Sequence, residues 1–171
     1  MKAFSIRKAA VYTALVIAAG LFAYGAMPEQ PRPAPTLVYS TVKGELVTPA
    51  DLYGKVTLVN FWATDCMVCM KEMPRLVQTY NRLRPLGLQT VAVAMSYDRP
   101  DRVLEYAEKN RLPFKVALDV RGEAARQFGT INATPTTFLI DKRGNIVKSW
   151  QGEPDYAKLE RLIEQKLAER V

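Results

Sequence analysis

The chain has 171 residues, 49% of them apolar and 24% charged, which suits one globular domain of ordinary size with a terminal appendage. Its net charge is +7, yet no basic run carries interleaved aromatics, so no nucleic-acid partner is expected. Histidine is absent, which excludes His-activated serine or cysteine nucleophiles, imidazole general bases, and His-ligated zinc or haem.

Residues 1–27 carry Lys2, Arg7 and Lys8 and no acid. From Ala9 to Pro28 the chain is uncharged, AAVYTALVIAAGLFAYGAMP, and as a helix this stretch would be about 30 Å long, the thickness of a bilayer's hydrocarbon core. The basic flank on the N-terminal side favours a cytoplasmic N-terminus and a translocated remainder. Residues 1–27 are therefore read as a signal anchor. A cleaved signal peptide is the other reading, with Ala23 and Gly25 supplying small residues for a cut after Gly25. Residues 28–36 follow, with prolines at 28, 31, 33 and 35, and read as a stiff, extended spacer between membrane and domain. In a bacterium this arrangement predicts a single-pass inner-membrane protein with residues 37–171 in the periplasm.

Within residues 37–171, Lys43-Gly44 marks a hairpin turn. Val56 to Trp62 is an apolar, β-branched run of the kind that forms a buried strand. Met73, Leu76, Val77, Tyr80 and Leu83 then recur at helical spacing, and Pro74 is expected to kink that helix. Leu88 to Met95 reads as a second strand, Pro100 to Asn110 as a helix, and Phe114 to Leu118 as a third strand. Arg121 to Phe128 reads as a short helix stopped by Gly129. Thr136 to Ile140 and Ile146 to Trp150 flank a turn at residues 141–145. An amphipathic helix over Pro154 to Ala168 closes the chain, with Tyr156, Leu159, Ile163 and Leu167 on one side. Strands alternating with helices, then a hairpin and a helix, predict α/β layers around a mixed sheet.

The only two cysteines lie in Phe-Trp-Ala-Thr-Asp-Cys-Met-Val-Cys-Met-Lys-Glu-Met-Pro, residues 61–74. Cys66 falls where a buried strand ends and a helix begins. The free N–H groups and positive end of a helix stabilise a thiolate there. Cys69, nearly one turn further on, can attack a mixed disulfide formed at Cys66. That makes Cys66 the nucleophile and Cys69 the resolving thiol. Met70 follows Cys69, so the pair is not a haem-attachment site. An inert structural disulfide is the competing reading. So short a loop removes little unfolded-state entropy, which makes it a poor staple.

The strand–Trp-Ala-x-x-Cys-x-x-Cys–helix segment, Pro74, and Thr134-Pro135-Thr136-Thr137-Phe138 together resemble the thioredoxin superfamily. More narrowly they resemble the membrane-tethered TlpA/ResA-type thiol–disulfide oxidoreductases, over roughly residues 37–171. The resemblance implies a thioredoxin-like three-layer fold with a mixed central sheet, an N-terminal hairpin, and a strand–helix insertion at about residues 98–118. It also implies a cis Thr134–Pro135 bond against the cysteine pair, with Thr134 backbone groups offered to an extended substrate segment. Asn60 takes the place of a buried acid found in cytoplasmic thioredoxins. Glu72 matches an acid that would relay a proton to or from Cys69, although a glutamate in the first turn is also ordinary helix chemistry. Asp65 departs from the family, where tryptophan is usual before the first cysteine. It should oppose thiolate formation at Cys66 and removes an aromatic contact surface. Its plain reading is a solvated acid capping the helix.

The expected site is therefore Cys66 and Cys69, supported by Trp62, Asp65, Glu72, Thr134 and Pro135, with no cofactor and no metal. The resemblance implies a reductase that takes electrons from a membrane dithiol donor. Its substrates would be disulfides of extracytoplasmic proteins, such as cytochrome c maturation partners or copper-site proteins. A disulfide-forming oxidase is an alternative, since Met67-Val68 between the cysteines does not fix the direction. A Cu(I) carrier is another, with Met67, Met70 and Met73 beside the thiols. A peroxiredoxin reading fails because Ala63 stands where the peroxidatic threonine belongs.

Overall fold

The computed structural model describes residues 32–170. It begins with β1 (Arg32–Pro33), a hairpin of β2 (Tyr39–Ser40) and β3 (Leu46–Val47), and a single turn, α1 (Pro49–Leu52). Then come β4 (Val56–Trp62), α2 (Met67–Leu83), β5 (Leu88–Ala94), α3 (Pro100–Lys109), β6 (Lys115–Leu118) and α4 (Glu123–Gln127). The chain closes with β7 (Thr136–Ile140), β8 (Asn145–Gln151) and α5 (Tyr156–Ala168).

Six strands form one sheet in the order β1-β8-β7-β4-β5-β6. β4 pairs in parallel with β5 and antiparallel with β7, and β5 pairs in parallel with β6, so the sheet is mixed as expected. Every residue of β4 is buried, which explains its unbroken apolar run: a strand covered on both faces needs no polar alternation. Leu58 and Trp62 join Leu76, Leu139, Val103, Leu159 and Ile163 in the core between the sheet and α2, α3 and α5. Val59 and Phe61 point the other way, into a core with Phe138, Phe128, Ala124 and the hairpin residues Tyr39 and Val47. The three-layer thioredoxin-like arrangement follows from that two-residue period.

The hairpin forms at the expected place. Thr41 bridges Ala117, and the Val42 N–H donates to the Val116 carbonyl at 2.9 Å, so the hairpin sits against the sheet edge formed by β6. The insertion over residues 98–118 becomes α3 and that edge strand. α2 runs unbroken through the exposed Pro74.

Three boundaries differ by more than one residue from the sequence-based expectation. The spacer read over residues 28–36 is not free along its whole length. Arg32 and Pro33 pair with Ile146 and Asn145, the Ala34 N–H donates to the Gly144 carbonyl at 2.8 Å, and Ala34 and Leu37 pack on the core. Proline is tolerated in an edge strand, whose outer amide has no partner to lose. α4 starts at Glu123, two residues later than read, because the Asp119 carboxylate accepts the Ala124 and Ala125 N–H groups at 3.0 and 2.9 Å. α5 starts at Tyr156 because the Asp155 side chain caps it, accepting the Lys158 N–H at 3.1 Å. The proposed anchor, residues 1–27, lies outside the described residues. Among the described residues no helix is long and apolar enough to cross a membrane.

Candidate active site

β4 delivers the chain to the site at its carboxyl end. After Trp62, Thr64 is fastened to Asp98 in the loop after β5: its N–H donates to Asp98 Oδ2 at 2.6 Å and its hydroxyl to Oδ1 at 2.7 Å. The chain then turns into α2 with Cys66 as the N-cap, its backbone extended at φ −86° and ψ 105°. The Cys69 N–H donates to Cys66 Sγ at 3.1 Å. That bond and the positive end of a 17-residue helix both favour negative charge on Cys66 sulfur once the pair is reduced.

Cys66 and Cys69 form a disulfide with their Cα atoms 5.2 Å apart. The two sulfurs are not equivalent: Cys66 is half-buried and Cys69 only 2% exposed. The Thr134–Pro135 bond is cis, and the Thr134 carbonyl oxygen lies 3.4 Å from Cys66 Sγ. The cis-proline loop and the accessible sulfur therefore share one surface, 68 residues apart in sequence.

Glu72 stands one helical turn after Cys69 and is 2% exposed. Its Oε1 accepts the Tyr156 hydroxyl at 3.0 Å, while Oε2 is buried with no hydrogen-bond partner among the described residues. Burial pushes the Glu72 carboxyl up to about 7, the Tyr156 hydrogen bond pulls against that rise, and nearby Glu153 adds to it. Trp62 is fully buried beneath the pair, in the same apolar cluster as Cys69 and 5.4 Å from the Tyr106 ring.

Asp65 is exposed at the rim and does not cap the helix; Cys66 takes that position itself. Asn60 donates from Nδ2 to Thr137 Oγ1 at 2.9 Å, tying β4 to β7. Met67 is 87% exposed and Met73 3%, so these two thioethers lie in opposite environments.

Three residues of the site escape a reading of sequence alone. Asp98 holds the approach to Cys66. A usable signal exists for it: adjacent parallel strands bring their following loops together, and β4 and β5 are such neighbours. Tyr97, 59% exposed, shares a hydrogen bond with Thr134 through Oγ1 at 3.4 Å. Tyr156 reads as one more apolar residue of α5, and nothing in that pattern tells where its hydroxyl goes.

The sequence model of the AhpC/TSA family matches residues 31–149. The chain belongs to the AhpC/TSA family. That match takes in both cysteines, Glu72 and the cis-proline loop, and ends before α5. The thiol-disulfide oxidoreductase ResA of Bacillus cereus is 32% identical over 145 residues, 84% of this chain and 82% of that protein. ResA of Bacillus thuringiensis subsp. konkukian is 34% identical over 131 residues, 76% of this chain and 74% of that protein. A crystal structure of a thioredoxin-family thiol:disulfide interchange protein from Chlorobium tepidum superposes with a TM-score of 0.75 at 30% identity, covering 82% of this chain and 99% of that one. A bonded Cys-x-x-Cys pair at a helix start, in a family member with these relatives, makes the chain a thiol–disulfide oxidoreductase.

Proposed function

We propose that the chain is a protein-disulfide reductase working outside the cytoplasm, held to the bacterial inner membrane by residues 1–27 and recharged by a membrane dithiol donor. The uncharged stretch with its basic N-terminal flank supports the tether. The observation that carries the catalytic reading is the asymmetry of the sulfurs: Cys66 half-buried beside the Thr134 carbonyl, Cys69 enclosed one turn further in.

In this reading a substrate segment lies extended along Thr134, its backbone pairing with the cis-proline loop. The Cys66 thiolate attacks one sulfur of the substrate disulfide, and the other sulfur leaves as a thiolate and takes a proton. Cys69, deprotonated, then attacks Cys66 Sγ. The Cys66–Cys69 bond forms as the bond to substrate breaks, and the second substrate thiol departs. Two electrons pass from the dithiol to the substrate. Substrates of the cytochrome c maturation or copper-site type fit an extracytoplasmic reductase of this lineage.

The test is the reduction potential of the Cys66–Cys69 couple in the full chain, equilibrated in detergent against thiol–disulfide buffers. A value of about −270 mV or lower makes it a competent reductant; about −120 mV would make it an oxidant and reverse the direction proposed.

A further inference from the structure

Glu72 and Tyr156 meet between α2 and α5, both buried, with the phenol donating to Oε1 at 3.0 Å. The second oxygen, Oε2, has no hydrogen-bond partner among the described residues. Buried polar atoms are almost always paired, so a carboxyl with one oxygen held and the other free needs a reason. Cys69 supplies one. It precedes Glu72 by one turn on the same helix, and it shares an apolar cluster with Tyr156.

We propose that Tyr156 is a positioning residue for the resolving step: its hydroxyl anchors Oε1 and leaves Oε2 to take the proton of the Cys69 thiol. This inference rests on the exchange chemistry proposed above. Ionised Glu72 accepts the proton from Cys69 Sγ, and the resulting thiolate displaces the partner sulfur from Cys66. The Cys66–Cys69 bond forms, the Cys66–partner bond breaks, and the partner thiolate takes a proton from water. Glu72 later returns its own proton to water.

The surroundings bear on when Glu72 is ionised. Burial raises its proton affinity, and the Tyr156 hydrogen bond is what opposes the rise. Glu153, in the turn before α5, adds to the rise and is ion-paired with Lys71 at 3.8 Å. The Arg75 guanidinium lies 5.3 Å from the centre of the Tyr156 ring. Burial, with Glu72 next in weight, keeps the Tyr156 phenol protonated well above its usual range, so it remains a donor across the working pH. Tyr156 also lies beyond the residues matched by the family model, so the anchor for this acid comes from the chain's own C-terminal helix.

The test uses the reduced full chain in detergent and dithiobis(nitrobenzoate), followed by stopped-flow across pH. The first coloured thiolate released reports Cys66 attack. The second reports Cys69 resolving the mixed disulfide. In the wild type the second phase should have an acid limb near neutrality. Tyr156→Phe removes one hydrogen bond to a charged group, so the limb should move up by about one pH unit, roughly tenfold slower at a fixed pH below it. Glu72→Gln should abolish the limb, and adding Tyr156→Phe to Glu72→Gln should shift nothing further. Glu72→Asp, too short to reach the phenol, should reproduce the upward shift with Tyr156 intact, which covers the case of a poorly folded phenylalanine variant. A limb left in place by both Tyr156→Phe and Glu72→Asp overturns the role of Tyr156. A limb surviving Glu72→Gln removes the proton relay altogether, and the inference with it. Absence of any second release in the wild type would instead sink the dithiol reading on which both depend.

Discussion

Cys66 and Cys69 are separated by one helical turn, yet the two halves of the site obey different constraints. On the outer half, Cys66 meets solvent among exposed Asp65, Met67 and Val68, with the Thr134 carbonyl and Tyr97 alongside. On the inner half, Cys69 is enclosed with Trp62, Glu72 and Tyr156 in the core that α2 and α5 form against the sheet. In the proposed mechanism the outer sulfur must meet a partner disulfide, and its exposed neighbours can vary without disturbing the packing. The inner sulfur in that mechanism needs only to reach one sulfur and lose one proton, and both tasks are better served by fixed neighbours. Asp65 lies on this permissive half.

The largest effects should come from removing the sulfurs one at a time, since this breaks the two halves apart. Cys66→Ser should abolish turnover and leave no covalent adduct. Cys69→Ser should also abolish turnover but accumulate a stable mixed disulfide at Cys66, visible by mass spectrometry without reductant. Adducts trapped in Cys66→Ser rather than Cys69→Ser would invert the assignment of outer and inner thiol.

A smaller effect probes the inner half through stability. The buried Glu72 carboxyl stands at about 7 against an ordinary value of 4.5, so the folded protein holds a proton that the unfolded chain has lost between those values. Stability attributable to Glu72 is therefore complete below about pH 4.5 and is lost as pH rises through about 7. Glu72→Gln removes that loss. Denaturant titrations should show the variant gaining on the wild type as pH is raised from 4 to 8, by at most about 3 kcal/mol. A constant difference across that window would place the carboxylate in contact with water rather than in the core.

The smallest effect belongs to the rim. Asp65→Asn should speed alkylation of reduced Cys66 at neutral pH by no more than about threefold, because an exposed charge is well screened. A change of several tens of times would mean that Asp65 is coupled to the thiolate far more closely than its exposed position allows.

How much of this is legible in the sequence depends on the range of the contacts involved. The buried β4 strand and the helical face of Met73, Leu76 and Tyr80 declare themselves through local periodicity, and both stand where the pattern put them. Cys66, Cys69 and Thr134 are linked in the sequence only through motif resemblance, which carries long-range information that periodicity does not. Asp98, Tyr97 and Tyr156 leave no local signal because they join the site across separations of 34, 37 and 84 residues. Tyr156 occupies the apolar face expected of it, and the ring and the hydroxyl of one side chain simply serve different ends. The end of the spacer differs for another reason: a proline-rich stretch and an edge strand share the same extended backbone, and only the partner strand distinguishes them.

That short strand has a consequence for how the molecule meets its own copies. The Ala34 N–H points inward to Gly144, so by strand alternation Pro33 turns its nitrogen outward. It has no hydrogen to give. A second chain approaching Pro33 finds no donor there to pair with. Among the described residues this proline works against backbone pairing between two molecules at that point.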